Sequence, residues 1–161
     1  MENLIKVGIA DYKITSNPHG LVTLGLGSCV GIAIYNTLTK IGGLSHIMLP
    51  DSKAFGSDAK QEKFADLAII MMIKDMNHGM LENKNLVAKI AGGARMFAYK
   101  DKKQMAEIGQ RNVDAVEKIL LELGIPILGR HTGGTIGRTM VVDLSDFKVD
   151  IKTANKSLII L

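Results

Sequence analysis

Two runs of sequence decide the fold: Thr23-Leu-Gly-Leu-Gly-Ser-Cys-Val-Gly-Ile-Ala-Ile-Tyr-Asn36 and, after a polar turn, Ile41-Gly-Gly-Leu-Ser-His-Ile-Met-Leu-Pro50. Large and small residues alternate from Val30 to Tyr35, which predicts a half-buried strand, and the second run predicts its hairpin partner. Cys29 is the only cysteine in 161 residues and belongs to the first run, and His46 belongs to the second. The sequence therefore brings a nucleophile and a base together by local structure.

The same alternation predicts how the two strands pair. If their apolar faces coincide, Ile34 lies opposite Ile41, and the same register places Cys29 directly opposite His46. The Cβ atoms of such cross-strand neighbours are roughly 4.5 to 5.5 Å apart. A slip of one residue would put the two side chains on opposite faces.

A cysteine beside a histidine is typical of nucleophilic catalysis. The thiolate is the attacking species, and an imidazole can take the proton of a thiol whose ordinary pKa is about 8.5. The glycines around Gly27 would let a substrate approach the backbone, and N–H groups near Ser28 and Cys29 are candidates for an oxyanion hole. The pair alone leaves a second interpretation open, because a lone cysteine is often a small buried hydrophobe and a strand histidine is often structural.

Several blocks of the sequence, in order along the chain, resemble the CheD family, the chemoreceptor glutamine deamidases of bacterial chemotaxis. They are Thr-Leu-Gly-Leu-Gly-Ser-Cys-Val, Ser-His-Ile-Met-Leu-Pro, Ala88-Lys-Ile-Ala-Gly-Gly-Ala94 with Met96-Phe97, Ile108-Gly-Gln-Arg-Asn-Val113, and Thr132-Gly-Gly134 with Arg138. The resemblance spans nearly the whole chain. It departs at His131, where an acidic residue is expected, so position 131 is assigned no role.

The resemblance implies roles for individual residues. Cys29, His46 and Thr23 correspond to the family's catalytic group, in which Thr23 would hold the ring of His46; threonine is otherwise an ordinary strand former. Phe97 would contact a partner or the substrate, although burial in the core is an equally good interpretation. Arg111 and Asn112 belong to a block whose role we interpret as structural. The implied partners are methyl-accepting chemoreceptors as substrate and the CheC phosphatase.

Composition limits the classes of protein that this chain can be. With 47% hydrophobic and 22% charged residues, we expect one globular domain over residues 1–161. There is no apolar run of the roughly 18 residues that a membrane span needs, and one cysteine suits a reducing compartment, so we expect a cytoplasmic protein without membrane insertion. The net charge of +4 is dispersed, which disfavours nucleic acid as a partner and suits an acidic protein surface.

Short strands and two helices predict an α+β domain. We expect strands near residues 4–14, 21–25, 86–91, 125–128, 139–143, 147–152 and 157–161, one helix that carries Phe64 to Ile73, and a second from Asn112 to Leu123. Gly92-Gly93-Ala94 lacks a nucleotide-binding signature, so its small residues are expected to let that segment pass close to the hairpin. The resemblance implies a mixed β-sandwich with helices on the outside, as in the cysteine deamidase domain of cytotoxic necrotizing factor toxins.

The implied reaction is attack of Cys29 on the side-chain amide of a protein glutamine, with release of ammonia and hydrolysis of a thioester to glutamate. No metal or cofactor is expected. A cysteine protease or transglutaminase would use the same pair of residues and differ only in products. A non-enzymatic regulatory module that binds CheC is the other alternative.

Overall fold

The computed structural model describes residues 3–56, 60–96 and 107–161. Within these ranges the strands are β1 Leu4–Val7, β2 Asp11–Ser16, β3 Gly20–Leu26, β4 Val30–Asn36, β5 Ile41–Ile47, β6 Leu86–Gly92, β7 Ile127–Thr132, β8 Arg138–Asp143, β9 Val149–Thr153 and β10 Leu158–Ile160. The helices are α1 Ser52–Phe55, α2 Ala65–Met76 and α3 Ile108–Glu122, with a 3-10 turn at Gln61–Lys63.

The strands form two mixed sheets of five strands each. In the first, which we call the β3 sheet, the order is β1-β3-β8-β9-β10, and only the β1–β3 pair is parallel. In the second, the β4 sheet, the order is β2-β5-β4-β6-β7, and only the β6–β7 pair is parallel. The chain is therefore α+β, as predicted.

Strand β4 is buried on both faces, because helices cover one face of its sheet and the β3 sheet covers the other. Val30, Ile32 and Ile34 belong to an aliphatic cluster with α2 and α3, whereas Ala33 and Tyr35 pack with residues of the β3 sheet. The prediction of a half-buried strand is therefore wrong. The alternation of large and small residues separates a face that meets helices from a face that meets another sheet.

The two long helices cover one side of the β4 sheet. Their buried positions recur at helical spacing, so one stripe of each helix packs on the sheet. In α2 these are Ala65, Ala68, Ile69, Met72, Ile73 and Met76, and in α3 they are Gly109, Asn112, Val113, Val116 and Leu120. Both predicted helices are confirmed, although α3 begins at Ile108, four residues before the predicted start.

Three predicted strand boundaries are wrong. One is that of β7, which runs from Ile127 to Thr132 rather than over residues 125–128. The strand expected over residues 4–14 is broken between Val7 and Asp11, where Ala10 has a φ of 53°, and the resulting β1 and β2 belong to different sheets. The hairpin expected over residues 139–152 is present, but β9 begins at Val149. Phe147 lies in the turn with a φ of 60° and stacks on Tyr35 at 4.8 Å between ring centroids.

Candidate active site

Cys29 lies in the connection between β3 and β4, immediately before Val30. Its carbonyl oxygen accepts a hydrogen bond from the Gly93 N–H at 2.8 Å, and the Gly27 carbonyl accepts one from the Ala94 N–H at 2.7 Å. A Cβ atom at Gly92 would collide with the Cys29 carbonyl, so glycine is what allows the end of β6 to lie this close. The small residues of this segment therefore hold the cysteine loop, as the sequence predicts.

The predicted register of the hairpin is wrong by two residues. His46 lies opposite Gly31 rather than Cys29, and Ile34 lies opposite Gly43 rather than Ile41. The turn explains the difference: the Asn36 side chain accepts hydrogen bonds from the N–H groups of Leu38 and Thr39, so the reversal is confined to residues 37–40. A shift of two preserves the faces, so His46 still points to the side of the sheet on which Cys29 packs.

His46 is fully buried and bonded to Thr23 across the two sheets. The distance from Thr23 Oγ1 to His46 Nδ1 is 2.7 Å, and the Thr23 hydroxyl donates to the Val7 carbonyl at 2.9 Å. A hydroxyl has one hydrogen to donate, so the bond between Thr23 and His46 requires Nδ1 to carry a proton that it donates to Oγ1. The opposite nitrogen, Nε2, then holds the free lone pair that a general base needs.

His46 and Cys29 are both neutral in the resting site. Burial lowers the pKa of His46 to about 4, and burial also raises the pKa of the Cys29 thiol, against a smaller opposite effect of its own backbone N–H. His46 Nε2 is buried and has no hydrogen-bond partner among the residues that the structure describes. Both pKa shifts favour the neutral forms, so they disfavour a thiolate–imidazolium ion pair.

The backbone N–H groups before Cys29 differ in availability. The Gly27 N–H donates to the Gly25 carbonyl at 3.0 Å, so the predicted contribution of Gly27 to an oxyanion hole has to come from its lack of a side chain rather than from its amide. For the amides of Ser28 and Cys29, no backbone carbonyl within the described ranges accepts a hydrogen bond. These two amides are the candidates that the geometry leaves.

An open groove of about 560 Å³ adjoins the cysteine loop. Its lining is largely apolar and is formed by Ser28, Met48, Leu49, Ala54, Phe55, Ile108 and Arg111. The guanidinium of Arg111 lies 5.3 Å from the ring centroid of Phe55. The groove therefore presents a largely apolar surface beside Ser28, the residue that precedes Cys29.

Two other positions singled out in the sequence are Phe97 and His131. Phe97 lies outside the described residues. His131 is on β7, and its Nδ1 is 2.9 Å from Nη1 of Arg138, a buried arginine that also donates to the carbonyls of Gly133 and Ile136. The burial of Arg138 was not predicted from the sequence. A charged residue at the start of a strand, after a glycine-rich turn, does not indicate burial.

In the part of the chain that the structure describes, none of the helices combines the length and apolar character that crossing a bilayer requires.

Comparisons with known proteins give a consistent family. The family described as "CheD chemotactic sensory transduction" matches residues 48–153. A relative from Clostridium botulinum (strain Eklund 17B / Type B) is 51% identical over 153 residues, which cover 94% of both chains. One from Clostridium kluyveri is 51% identical over 96% of this chain and 95% of its own, and one from Clostridium acetobutylicum is 50% identical over 96% and 93%. All three are named "Probable chemoreceptor glutamine deamidase CheD".

Among solved structures, the hypothetical protein YfiH of Bacillus licheniformis aligns with a TM-score of 0.43 and 16% identity, over 76% of this chain and 50% of that one. This similarity is too low to support any statement about fold or site. The clostridial proteins, in contrast, are 51% identical to this chain, and the alignments cover nearly the full length of both proteins. The chain belongs to the CheD family.

Proposed function

We propose that this protein is a protein-glutamine deamidase that converts glutamine side chains of chemoreceptors to glutamate. The observation that carries the proposal is the hydrogen bond from His46 Nδ1 to Thr23 Oγ1, because it leaves Nε2 as a base on the side of the sheet where Cys29 lies. The names of the clostridial relatives, which cover this chain almost completely, supply the substrate class.

In this proposal Cys29 is the nucleophile, His46 is the general base and then the general acid, and Thr23 positions His46. As Sγ bonds to the side-chain amide carbon of glutamine, its proton passes to His46 Nε2. The amides of Ser28 and Cys29 donate hydrogen bonds to the oxyanion that forms. His46 then protonates the amide nitrogen, ammonia leaves, and a thioester joins the substrate to Cys29.

The second half of the reaction regenerates the enzyme. A water molecule gives a proton to His46 as its oxygen attacks the thioester carbon, and His46 passes that proton to Sγ as the carbon–sulfur bond breaks. The products are a glutamate side chain and the Cys29 thiol. The neutral resting state supports this order of steps, since a base with its pKa lowered to about 4 is unprotonated and ready at neutral pH.

The groove beside Ser28 supports a protein substrate rather than a small molecule. It is open to solvent, its walls are largely apolar, and Arg111 offers a cation to an acidic neighbour of the reactive glutamine. We propose that residues flanking the glutamine bind there. We also propose that CheC, whose binding the family resemblance implies, competes with the receptor for this surface.

Three finer expectations belong to the same proposal. They are a single domain over residues 1–161, a cytoplasmic location, and a likeness of the fold to the cysteine deamidase domain of cytotoxic necrotizing factor toxins. Two facing mixed sheets with α2 and α3 on an outer side support the last of these. Phe97 stays a proposed contact of partner or substrate.

The test is mass spectrometry of chemoreceptor cytoplasmic fragments after incubation with wild type and with Cys29→Ala. We expect the wild type alone to convert specific glutamines, and the variant to lose on the order of 10⁶-fold in rate, as removal of a nucleophile does elsewhere. Conversion by both proteins would contradict the role of Cys29. Cleaved or crosslinked chains would indicate a protease or transglutaminase, and CheC binding without any conversion would favour a regulatory module.

A further inference from the structure

We infer that Asn112 is a positioning residue that sets the placement of Cys29 relative to His46. Asn112 is fully buried on α3, and its Nδ2 group donates to two carbonyls, those of Ser28 and Met48, at 2.9 Å each. Ser28 precedes the proposed nucleophile, and Met48 lies two residues after the proposed base. Both donor hydrogens of one amide are thus used to join the two segments that carry the reactive side chains.

The ladder between β4 and β5 explains why such a link is needed. Its last pair is Val30 with Ile47, and beyond this point the two strands separate. The N–H groups of Met48 and Leu49 both turn to the Lys63 carbonyl, at 2.9 and 3.0 Å, while the Cys29 carbonyl bonds to Gly93 on the other side. Cys29 therefore lies where the backbone ladder no longer fixes it to the β5 strand, and the Asn112 side chain replaces the missing bonds.

The element that carries Asn112 is itself held rigidly. A Cβ atom at Gly109 would lie 2.6 Å from the Ala94 carbonyl oxygen and 2.7 Å from that of Gly93, so the first turn of α3 rests directly on the segment that also binds the cysteine loop. Asn112 is one turn further along the same helix. Its amide is therefore fixed relative to both Gly93 and the groove.

The chemistry of Asn112 fits a positional role better than a packing role. Its Oδ1 atom is buried and has no hydrogen-bond partner among the described residues, which costs stability. An aliphatic residue would fill this stripe of α3 without that cost, as Val113 and Val116 do. The two donated hydrogen bonds are what an aliphatic residue could not supply.

The inference rests on the proposed function, and the test has one readout that needs no deamidation. We compare wild type, Asn112→Ala and Asn112→Ser, with Asn83→Ala as the matched control, because Asn83 also donates its amide to a carbonyl at α3, that of Leu123, but at the far end of the helix. Circular dichroism melts identify the variants that are folded at the assay temperature. Asn112→Ser retains one hydrogen-bond donor. If Asn112→Ala does not fold, the kcat of Asn112→Ser is compared with that of wild type instead.

In the kinetic arm, we expect Asn112→Ala to lower kcat by roughly 10- to 100-fold, as a misplacement of about 1 Å does, while KM stays nearly unchanged. Asn112→Ser should fall between wild type and alanine, and Asn83→Ala should leave kcat unchanged. A kcat for folded Asn112→Ala equal to that of wild type would overturn the inference.

In the second arm, the rate of Cys29 alkylation by iodoacetamide is measured with and without His46→Gln, in the wild type and in the Asn112→Ala background. We expect the effect of His46 on the thiol to shrink by at least about threefold when Asn112 is absent, since the coupling of two groups depends on their placement. An equal effect in both backgrounds would overturn the inference. If wild type deamidates nothing, the proposed function fails, and this arm still decides the role of Asn112.

Discussion

The two faces of the β4–β5 hairpin differ in what they bury. The face toward α2 and α3 carries Val30, Ile32, Ile34 and Ile47 and forms an aliphatic core. The face toward the β3 sheet packs Ala33, Tyr35 and Leu44 and also carries the fully buried His46, which is bonded to Thr23 on the other sheet. Both faces of these strands are therefore packed, and one of them also holds the imidazole that we propose to be a base.

The difference separates a mainly aliphatic face from a face that holds a residue we propose to be reactive. Aliphatic burial stabilises at about 25 cal/mol per Å² of apolar surface removed from water. A buried imidazole instead loses hydration, and here one of its nitrogens, Nε2, has no described partner. The helix-facing side is mainly aliphatic, with the buried Ser45 hydroxyl as an exception, and the sheet-facing side holds His46.

The largest effect should come from removing the group that holds His46. We expect Thr23→Val to lower kcat by roughly 10²- to 10⁴-fold, because the ring can then adopt the other tautomer and lose its orientation. The measurement is steady-state deamidation of a receptor fragment, together with urea unfolding to confirm the fold.

Thr153→Val is the matched control for Thr23→Val. Thr153 is also a buried threonine on the β3 sheet, but among the described residues its hydroxyl bonds only within the turn between β9 and β10, to Asn155 and Ser157. We expect this variant to retain kcat. Equal losses of kcat in both variants would mean that Thr23 acts through general stability, and the contrast between the two faces would lose its chemical meaning.

How much of this arrangement the sequence can predict depends on how local each feature is. The strands β4 and β5, both long helices and the faces of the hairpin follow from periodicity. The register of the β4–β5 pair does not follow from periodicity, since a shift of two residues keeps every side chain on its face. The hydrogen bonds of the Asn36 side chain in the turn fix which register forms. Cys29 and His46 could be paired from one hairpin, whereas the contact with Thr23 crosses two sheets and came only from the family resemblance.

Features that depend on contacts between distant segments could not be predicted, because local sequence patterns do not specify which segments meet. The parallel pairing of β1 with β3 and of β6 with β7 joins segments separated by other elements, and no local pattern specifies it. The position of Asn112 could be identified as unusual from the sequence. It lies four residues before Val116, on the buried and otherwise largely apolar stripe of α3, where a polar amide is uncommon. A polar residue on an apolar helical stripe was interpreted as structural and is now the proposed link between the two reactive segments.

A second and smaller effect should appear in the pH dependence of stability. Burial lowers the pKa of His46 to about 4 from an ordinary value of 6.5, so the unfolded chain binds this proton more readily than the folded chain. The protonation equilibrium of His46 therefore has almost no effect on stability well above pH 6.5, and the folded state loses stability as the pH falls toward 4. Between pH 7.5 and 4.5 we expect the loss due to His46 to be about 2 to 3 kcal/mol.

Urea unfolding of wild type and His46→Gln at both pH values isolates this contribution, because other titrating groups are common to the two proteins. Asp11, the residue opposite His46 on β2, pairs with Lys13 at 3.0 Å and is present in both. We expect the wild type to lose more stability than the variant on acidification. An equal loss would mean that the ring of His46 is accessible to protons in the folded state and is not the buried base described above.

The smallest effect is expected on the helix-facing side, where Ser45 sharpens the comparison. Ser45 lies opposite Ile32, is fully buried, and its Oγ atom has no hydrogen-bond partner within the described part of the chain. Ser45→Ala removes a buried hydroxyl just as Thr23→Val does. Because no bond is lost, we expect urea unfolding to show stability unchanged or raised by up to about 1 kcal/mol, with kcat unaffected.

The neighbouring position makes this small effect informative. Ser45 directly precedes His46 in the sequence. Ser45→Ala and Thr23→Val therefore each remove a hydroxyl close to the His46 ring, but on opposite faces of the sheet. If only Thr23→Val lowers kcat, the chemistry depends on which face a hydroxyl occupies and on the bond that it makes. A loss of kcat in Ser45→Ala would instead show that His46 is held by both faces, and the helix-facing side could no longer be described as packing alone.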